Sequence, residues 1–187
     1  VLEKTLDMTN THRLDEKTGQ VSTIPPPSGR GEDSTGEADM IQKMHDIHSW
    51  AMQEVIENEK QRQRDLAVAK IEYYLRGSPL RGYGPLMVSE GERTGVNPYL
   101  CAAVAEAESS LAHNCFHPCN AWGMGQESYG SWEQGIIRWF NNADKNWPDA
   151  QNGYDLERPD LPYCATHQAE YAAHVTGVVD AIERIEI

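Results

Sequence analysis

The chain has 187 residues, with 29 acidic against 16 basic side chains and a formal net charge of −13. That balance excludes the broad basic footprint of a nucleic-acid binder and disfavours anionic membrane surfaces, while an uncharged or zwitterionic polymer remains a compatible partner. No apolar run reaches membrane-spanning length.

The length fits one domain of ordinary size plus an appendage. No secretory leader is visible. The chain starts at Val1 rather than Met, which reads as a processed product or a fragment, so the missing leader does not argue against export.

Residues 1–36 read as an extended tail or linker. Pro25-Pro26-Pro27 and Ser28-Gly29-Arg30-Gly31 lie in it, and it offers little apolar surface to offset the entropy of ordering. Residues 37–76 read as an amphipathic helix, a tether or coiled coil. Ile41, Met44, Ile47, Ala51 and Val55 recur at three- and four-residue steps. After a polar stretch over 57–65, Leu66, Val68, Ile71 and Leu75 resume the pattern. Strong helix formers fill that stretch, so the spacing predicts one long helix or two. Clean heptads are not sustained.

Residues 77–187 read as the folded domain. It is mainly α, with no convincing run of alternating strands. Gly77, Pro79, Gly82 and Gly84 punctuate its start. A helix is predicted over 84–94, stopped by Gly95. The next runs from Pro98 to Leu111, with Asn97 as its cap. Ser131 and Gln134 fit a capping box for a helix reaching Asn142. Residues 144–163 read as a long loop with room for a small hairpin. The last helix is expected from Thr166, burying Tyr171, Val175, Val178, Ile182 and Ile185.

Chemistry concentrates on the second of these helices, where Glu106 and Glu108 compete. At about 100° per residue, Leu100, Val104, Ala107 and Leu111 form one stripe. Glu108 falls at its edge and Glu106 points toward solvent. A catalytic acid needs partial burial to hold its proton near neutral pH, which favours Glu108. Alone, Glu108 reads as a boundary residue paired with a nearby cation, because helices are full of glutamates. The loop Gly123-Met124-Gly125-Gln126 changes the reading, because a backbone nearly free of side chains lets a sugar approach closely.

Around these, Trp122, Tyr129 and Tyr163 are candidates to stack on sugar faces or to pack in the core. Asn120 would bind an N-acetyl group or form a turn. Glu127 is a tempting second acid that would activate water if it faced the groove. The four cysteines, Cys101, Cys115, Cys119 and Cys164, suggest disulfides, with Cys115–Cys119 and Cys101–Cys164 favoured and an oxidising compartment implied. Free thiols remain open, as does a zinc site drawing on His113, His117 and His167 beside the cysteines. No cofactor is assigned.

The run Ala103-Val104-Ala105-Glu106-Ala107-Glu108-Ser109-Ser110-Leu111 resembles the catalytic Glu-Ser motif of lytic transglycosylases and goose-type lysozymes. Gly123-Met124-Gly125-Gln126 is similar to that family's Gly-rich loop, and residues 92–100 look like its entrance to the catalytic helix. The resemblance covers residues 78–185. It implies a lysozyme-like domain in which Glu108 is the catalytic acid and Ser109 the serine beside it. Gly123, Met124 and Gln126 would line the sugar groove. The implied substrate is the peptidoglycan glycan strand, cut at the β-1,4 bond between N-acetylmuramic acid and N-acetylglucosamine. One glutamate would serve as acid and then base, and the muramoyl 6-hydroxyl would attack to give a 1,6-anhydro product.

The family's later Tyr-Asn-Ala-Gly motif is not intact: Asn152-Gly153-Tyr154 is a poor substitute and Tyr171 is the alternative. Asn120 through Ile136 also resembles a glucosaminidase-like pattern, so a hydrolytic muramidase or glucosaminidase stays open. So does a non-catalytic structural or glycan-binding component. The expected setting is extracytoplasmic, in a cell envelope, a secreted form or a virion, with residues 1–76 joining a larger assembly.

Overall fold

Helices dominate, as the 3.6-residue periodicity predicts. The structure is a computed structural model and describes residues 12–14, 21–23 and 34–187. The tail expected over residues 1–36 lies mostly outside those residues. Within it, β1 (His12–Leu14) and β2 (Val21–Thr23) pair antiparallel, with His12 opposite Thr23.

Helix α1 (Ser34–Tyr74) is continuous through the polar stretch. Strong helix formers carry it there, with ion pairs one turn apart between Glu57 and Lys60 and between Glu59 and Arg62. The chain divides into two compact units, Val1–Gln53 and Glu54–Ile187, and α1 contributes to both. In the first, Met40, Ile41, Met44, Ile47 and Trp50 stay exposed. In the second, Ile71 is fully buried in the core, as is Leu75 just beyond the helix. The C-terminal end of α1 thus packs into the core of the folded domain that follows it. The glycine-rich turn near residue 77 is bonded back to α1, since Gly82 and Gly84 donate N–H bonds of 2.9 and 2.6 Å to the Glu72 carboxylate.

Helix α2 (Gly84–Thr94) ends as predicted at Gly95, whose φ of 76° is the left-handed conformation that glycine adopts without penalty. Helix α3 (Pro98–Ser109) starts as predicted, with the Asn97 side chain accepting the Tyr99 N–H at 3.0 Å. Its burial differs from the one-stripe expectation. Leu100 through Ala105 are all buried, so α3 is a central helix covered on every side. Small side chains allow this: Ala102, Ala103 and Ala105 let neighbouring backbones approach where a larger residue would hold them apart.

Helix α4 (Trp132–Asn146) is capped by Ser131, which accepts the Gln134 N–H at 3.3 Å. Gln134 reaches the Gly130 N–H rather than Ser131, so the capping box is half formed. The predicted loop over 144–163 is more ordered than expected. It holds the end of α4, a 3-10 turn (Gly153–Leu156) and a hairpin of β3 (Glu157–Arg158) and β4 (Leu161–Pro162). Helix α5 (Gln168–Glu183) buries Ala172, Val175, Val178, Val179 and Ile182 against α3 and the 3-10 turn. The core gathers Leu100, Trp122, Trp139, Phe140 and Leu156 around α3. This frame brings the end of α3, the loop after it, the hairpin and the start of α5 to one place.

Candidate active site

Helix α3 ends in an unusual way. Ser110, Leu111 and Ala112 all have positive φ, at 51°, 56° and 68°. Left-handed backbone costs a non-glycine residue about 1–2 kcal/mol, so a run of three needs support from outside. Ser109 supplies it. Its hydroxyl lies 2.8 Å from the carbonyls of both Ala105 and Ala121 and accepts the Ala112 N–H at 2.9 Å. The side chain is buried and fully committed, so Ser109 ties the helix end to the following loop instead of presenting a hydroxyl to a ligand.

Glu108 is the last carboxylate before this turn and is half-buried. Burial pushes its carboxyl above the ordinary carboxylate range, and the facing Tyr171 hydroxyl pulls it part of the way back. That hydroxyl is close enough to Glu108 to act on its charge, and among the described residues it is buried without a hydrogen-bond partner. On the other side, Gly123 closes against Glu108. A β-carbon at position 123 would meet Glu108 Cδ at 2.8 Å, with Oε2 closer still, and Gly123 has a φ of 63°. Any larger residue there would be strained in its backbone and would displace the Glu108 carboxylate.

A second carboxyl belongs to the same cluster. Glu157, on β3, accepts the Cys164 N–H at 2.9 Å through Oε1, while its Oε2 is buried without a partner among the described residues. Burial raises its carboxyl, the Cys164 N–H pulls it part of the way back, and the charge of Glu108 adds a smaller upward push. Sequence reading missed Glu157 because Leu156-Glu157-Arg158-Pro159 looks like plain loop. Its only signal was a glutamate next to a buried leucine.

Glu106, expected toward solvent, is also half-buried. The reason is the all-round burial of α3. It shows none of the contacts that surround Glu108.

Tyr163 and Tyr171 stack at 5.9 Å and 12°. The Tyr163 hydroxyl donates to the Trp122 carbonyl and accepts the Trp139 Nε1–H at 3.2 Å. Trp122 is fully buried, with its indole N–H on the Cys101 carbonyl at 2.9 Å. It packs in the core and presents no face to a sugar. Asn120 is buried as well. It donates to the Met124 and Glu127 carbonyls and accepts the Met124 N–H, so it shapes the loop from inside. Met124 and Tyr129 are half-buried, and Gln126 is exposed on the outer side of the same loop.

Glu127 is held away from any role as base. Its carboxylate takes two bonds from Arg138, at 2.9 and 3.0 Å, and one from the Tyr129 hydroxyl at 2.6 Å. These bonds hold its pKa down to about 2.

All four cysteines are free thiols in this structure, contrary to the expected disulfides. Cys101 is fully buried in α3 and burial raises its thiol. The Cys164 thiol bonds the Thr166 carbonyl at 2.6 Å. Among the described residues no group of three metal-binding side chains converges. Two cavities stand out. One of about 650 Å³ lies between α1 and α2, lined by Val55, Ile56, Ala67 and Val88. The other, of about 420 Å³, is lined by Trp147, Tyr154, Asp155, Glu157 and Arg158. Glu108 lines neither, though Glu157 links the second to the Glu108 cluster.

No protein-family model matches this chain, and no curated protein matches its sequence.

Proposed function

We propose that this chain cleaves the glycan strands of peptidoglycan at the β-1,4 bond between N-acetylmuramic acid and N-acetylglucosamine, with Glu108 as general acid. The observation that carries the reading is the environment of Glu108. A half-buried carboxyl, raised by desolvation, sits at a helix end against the backbone of Gly123, where a β-carbon would displace it. A glycosidase acid needs a retained proton near neutral pH, which the burial of Glu108 supports. The Glu-Ser and Gly-rich motifs, read as resemblances, point to the same bond.

In this mechanism protonated Glu108 donates to the leaving oxygen as the bond breaks. The resulting carboxylate then takes the proton of the attacking hydroxyl. Attack by the muramoyl 6-hydroxyl gives a 1,6-anhydro product, and attack by water gives a reducing end. A charged Glu157 nearby would favour retention of the Glu108 proton. Tyr171 presents an unpartnered hydroxyl beside Glu108, which suits it to the role that the missing tyrosine motif leaves open. The exposed apolar residues on the first half of α1 support attachment to a larger extracytoplasmic assembly through residues 1–76.

Zymography on purified cell walls tests the reading. Clearing by the intact chain and none by Glu108→Gln supports it. Absence of clearing by the intact chain, with glycan strands still bound, would leave a non-catalytic wall-binding protein instead. Mass analysis of the released fragments separates anhydro from reducing ends.

A further inference from the structure

The segment that joins α3 to the Gly123 loop exposes one aromatic ring almost completely. Phe116 is 96% exposed, against 52% for Tyr73 and 59% for Tyr154. The other phenylalanine, Phe140, is fully buried. Burying a phenylalanine side chain is worth about 1.5–3 kcal/mol, so a ring held out in water is a standing cost.

The backbone on either side of Phe116 is fastened. Asn114 donates its N–H to the Ser109 carbonyl at 2.9 Å, and the Cys115 thiol lies 3.6 Å from the Ala112 carbonyl. Beyond the ring, the Pro118 carbonyl accepts the Tyr129 N–H at 2.9 Å and the His117 carbonyl accepts the Asn120 N–H at 3.2 Å. Phe116 is thus the crest of a tied-down turn rather than the tip of a loose one. It also belongs to the Glu108 neighbourhood. Asn114 is bonded to the residue after Glu108, and two residues of chain span at most about 7 Å. On its far side, the turn is bonded to Tyr129, whose hydroxyl is bonded to the Glu127 carboxylate.

We propose that Phe116 is a stacking platform for a sugar ring of the same glycan strand, at a position removed from the cleaved bond. The proposal rests on the glycan-cleavage reading. A pyranose presents C–H groups on one face, and these pack on the negative face of an aromatic ring. Such a platform demands a ring that is accessible and apolar, carried on a fastened backbone. A charged side chain would not pack on the C–H face of a sugar. The platform would select long strands over short fragments, because only a long strand reaches Phe116 and Glu108 together.

The test compares the intact chain with Phe116→Ala and Phe116→Trp on purified glycan strands and on a short muropeptide. Aromatic contacts worth about 0.5–1.5 kcal/mol correspond to a loss of up to about tenfold. The expected result for Phe116→Ala is a rise in KM of that order on long strands, unchanged kcat and unchanged cleavage of the short substrate, with Phe116→Trp restoring the KM. Unchanged KM for Phe116→Ala on long strands, with Glu108→Gln inactive, overturns the platform and leaves the catalytic reading intact. Co-sedimentation with glycan strands in the Glu108→Gln background reads the platform without turnover. Equal binding with and without the ring overturns it, even for a chain that never cleaves. Loss of binding to phospholipid vesicles, with glycan binding unchanged, overturns it in favour of a membrane contact.

Discussion

The Glu108 carboxyl is packed against the backbone of Gly123, so tightly that a β-carbon there would meet Glu108 Cδ at 2.8 Å. Replacing Gly123 by alanine therefore asks for two things at once, a left-handed alanine and displacement of Glu108. The backbone part alone costs about 1–2 kcal/mol. We expect Gly123→Ala to lower the melting temperature by about 5 °C and to reduce wall-clearing activity further than the lost stability explains. A variant with parental activity would show that Glu108 does not work in the position seen here.

Glu108→Gln should abolish cleavage, a loss of at least about a hundredfold, while the fold persists. Its effect on stability has a definite sign. The folded pKa is raised by burial, so the native state binds the proton more tightly than the unfolded chain. Below the unfolded value, near 4.3, both states are protonated and the substitution is neutral. As pH rises through the folded value, ionising a half-buried carboxyl costs stability, and the uncharged glutamine avoids that cost. Melting curves of the two proteins should therefore coincide near pH 4 and separate by pH 7, with Glu108→Gln the more stable. A parent protein that is the more stable at pH 7 would contradict the buried-acid assignment.

The same helix shows what was legible beforehand. Asn97, Pro98 and Gly95 marked both helix boundaries, because caps and breakers act through local backbone chemistry. The half-burial of Glu108 agrees with its phase, but Glu106, which the same phase turned toward solvent, is half-buried too. The all-round burial of α3 was not legible, since its short alanines read as neutral in a stripe and only the packed neighbours reveal that they are covered. Ser109, Asn120 and Trp122 read from sequence as groove-lining residues, and the structure shows them buried. Each spends its polar atoms inside the fold, an outcome set by long-range contacts. Glu157 was invisible for the same reason, as residues 153–162 form a turn and hairpin whose partners lie on α5 and in the core.

Glu127 offers a contrast with Glu108. Its pKa is held at about 2 by Arg138 and Tyr129, so its contribution is present above the unfolded value near 4.3 and lost as pH falls toward the folded one. Because the pair is exposed, that contribution is at most about 1 kcal/mol. Glu127→Gln should melt slightly lower than the parent at pH 7, converge with it near pH 2, and retain cleavage with the same product ends. Loss of reducing-end product alone would instead restore Glu127 as the base for water.

The thiols should differ in reactivity. Cys101 is fully buried and its thiol is raised by desolvation, and alkylation requires the thiolate. Cys115, Cys119 and Cys164 are only half-buried. Brief iodoacetamide treatment of the native, reduced protein, read by peptide mass spectrometry, should label those three ahead of Cys101. Early labelling of Cys101 would mean that α3 opens far more readily than its packing implies.

The coupling between Glu157 and Glu108 gives the sharpest prediction. The Glu108 charge adds to the burial that raises the Glu157 carboxyl, and by reciprocity a charged Glu157 disfavours ionisation of Glu108. Activity requires the proton on Glu108, so the alkaline limb of the kcat profile reports its loss. Tyr171 and Tyr163 also face Glu108, from α5 and from the chain after β4, but burial keeps both hydroxyls protonated well beyond this range. Glu157→Gln removes the like charge and leaves the Cys164 N–H an acceptor. The alkaline limb should then move to lower pH while KM and the melting temperature change little. An unmoved limb, with kcat reduced uniformly at every pH, would assign Glu157 a structural role in the hairpin and leave the Glu108 proton to burial alone.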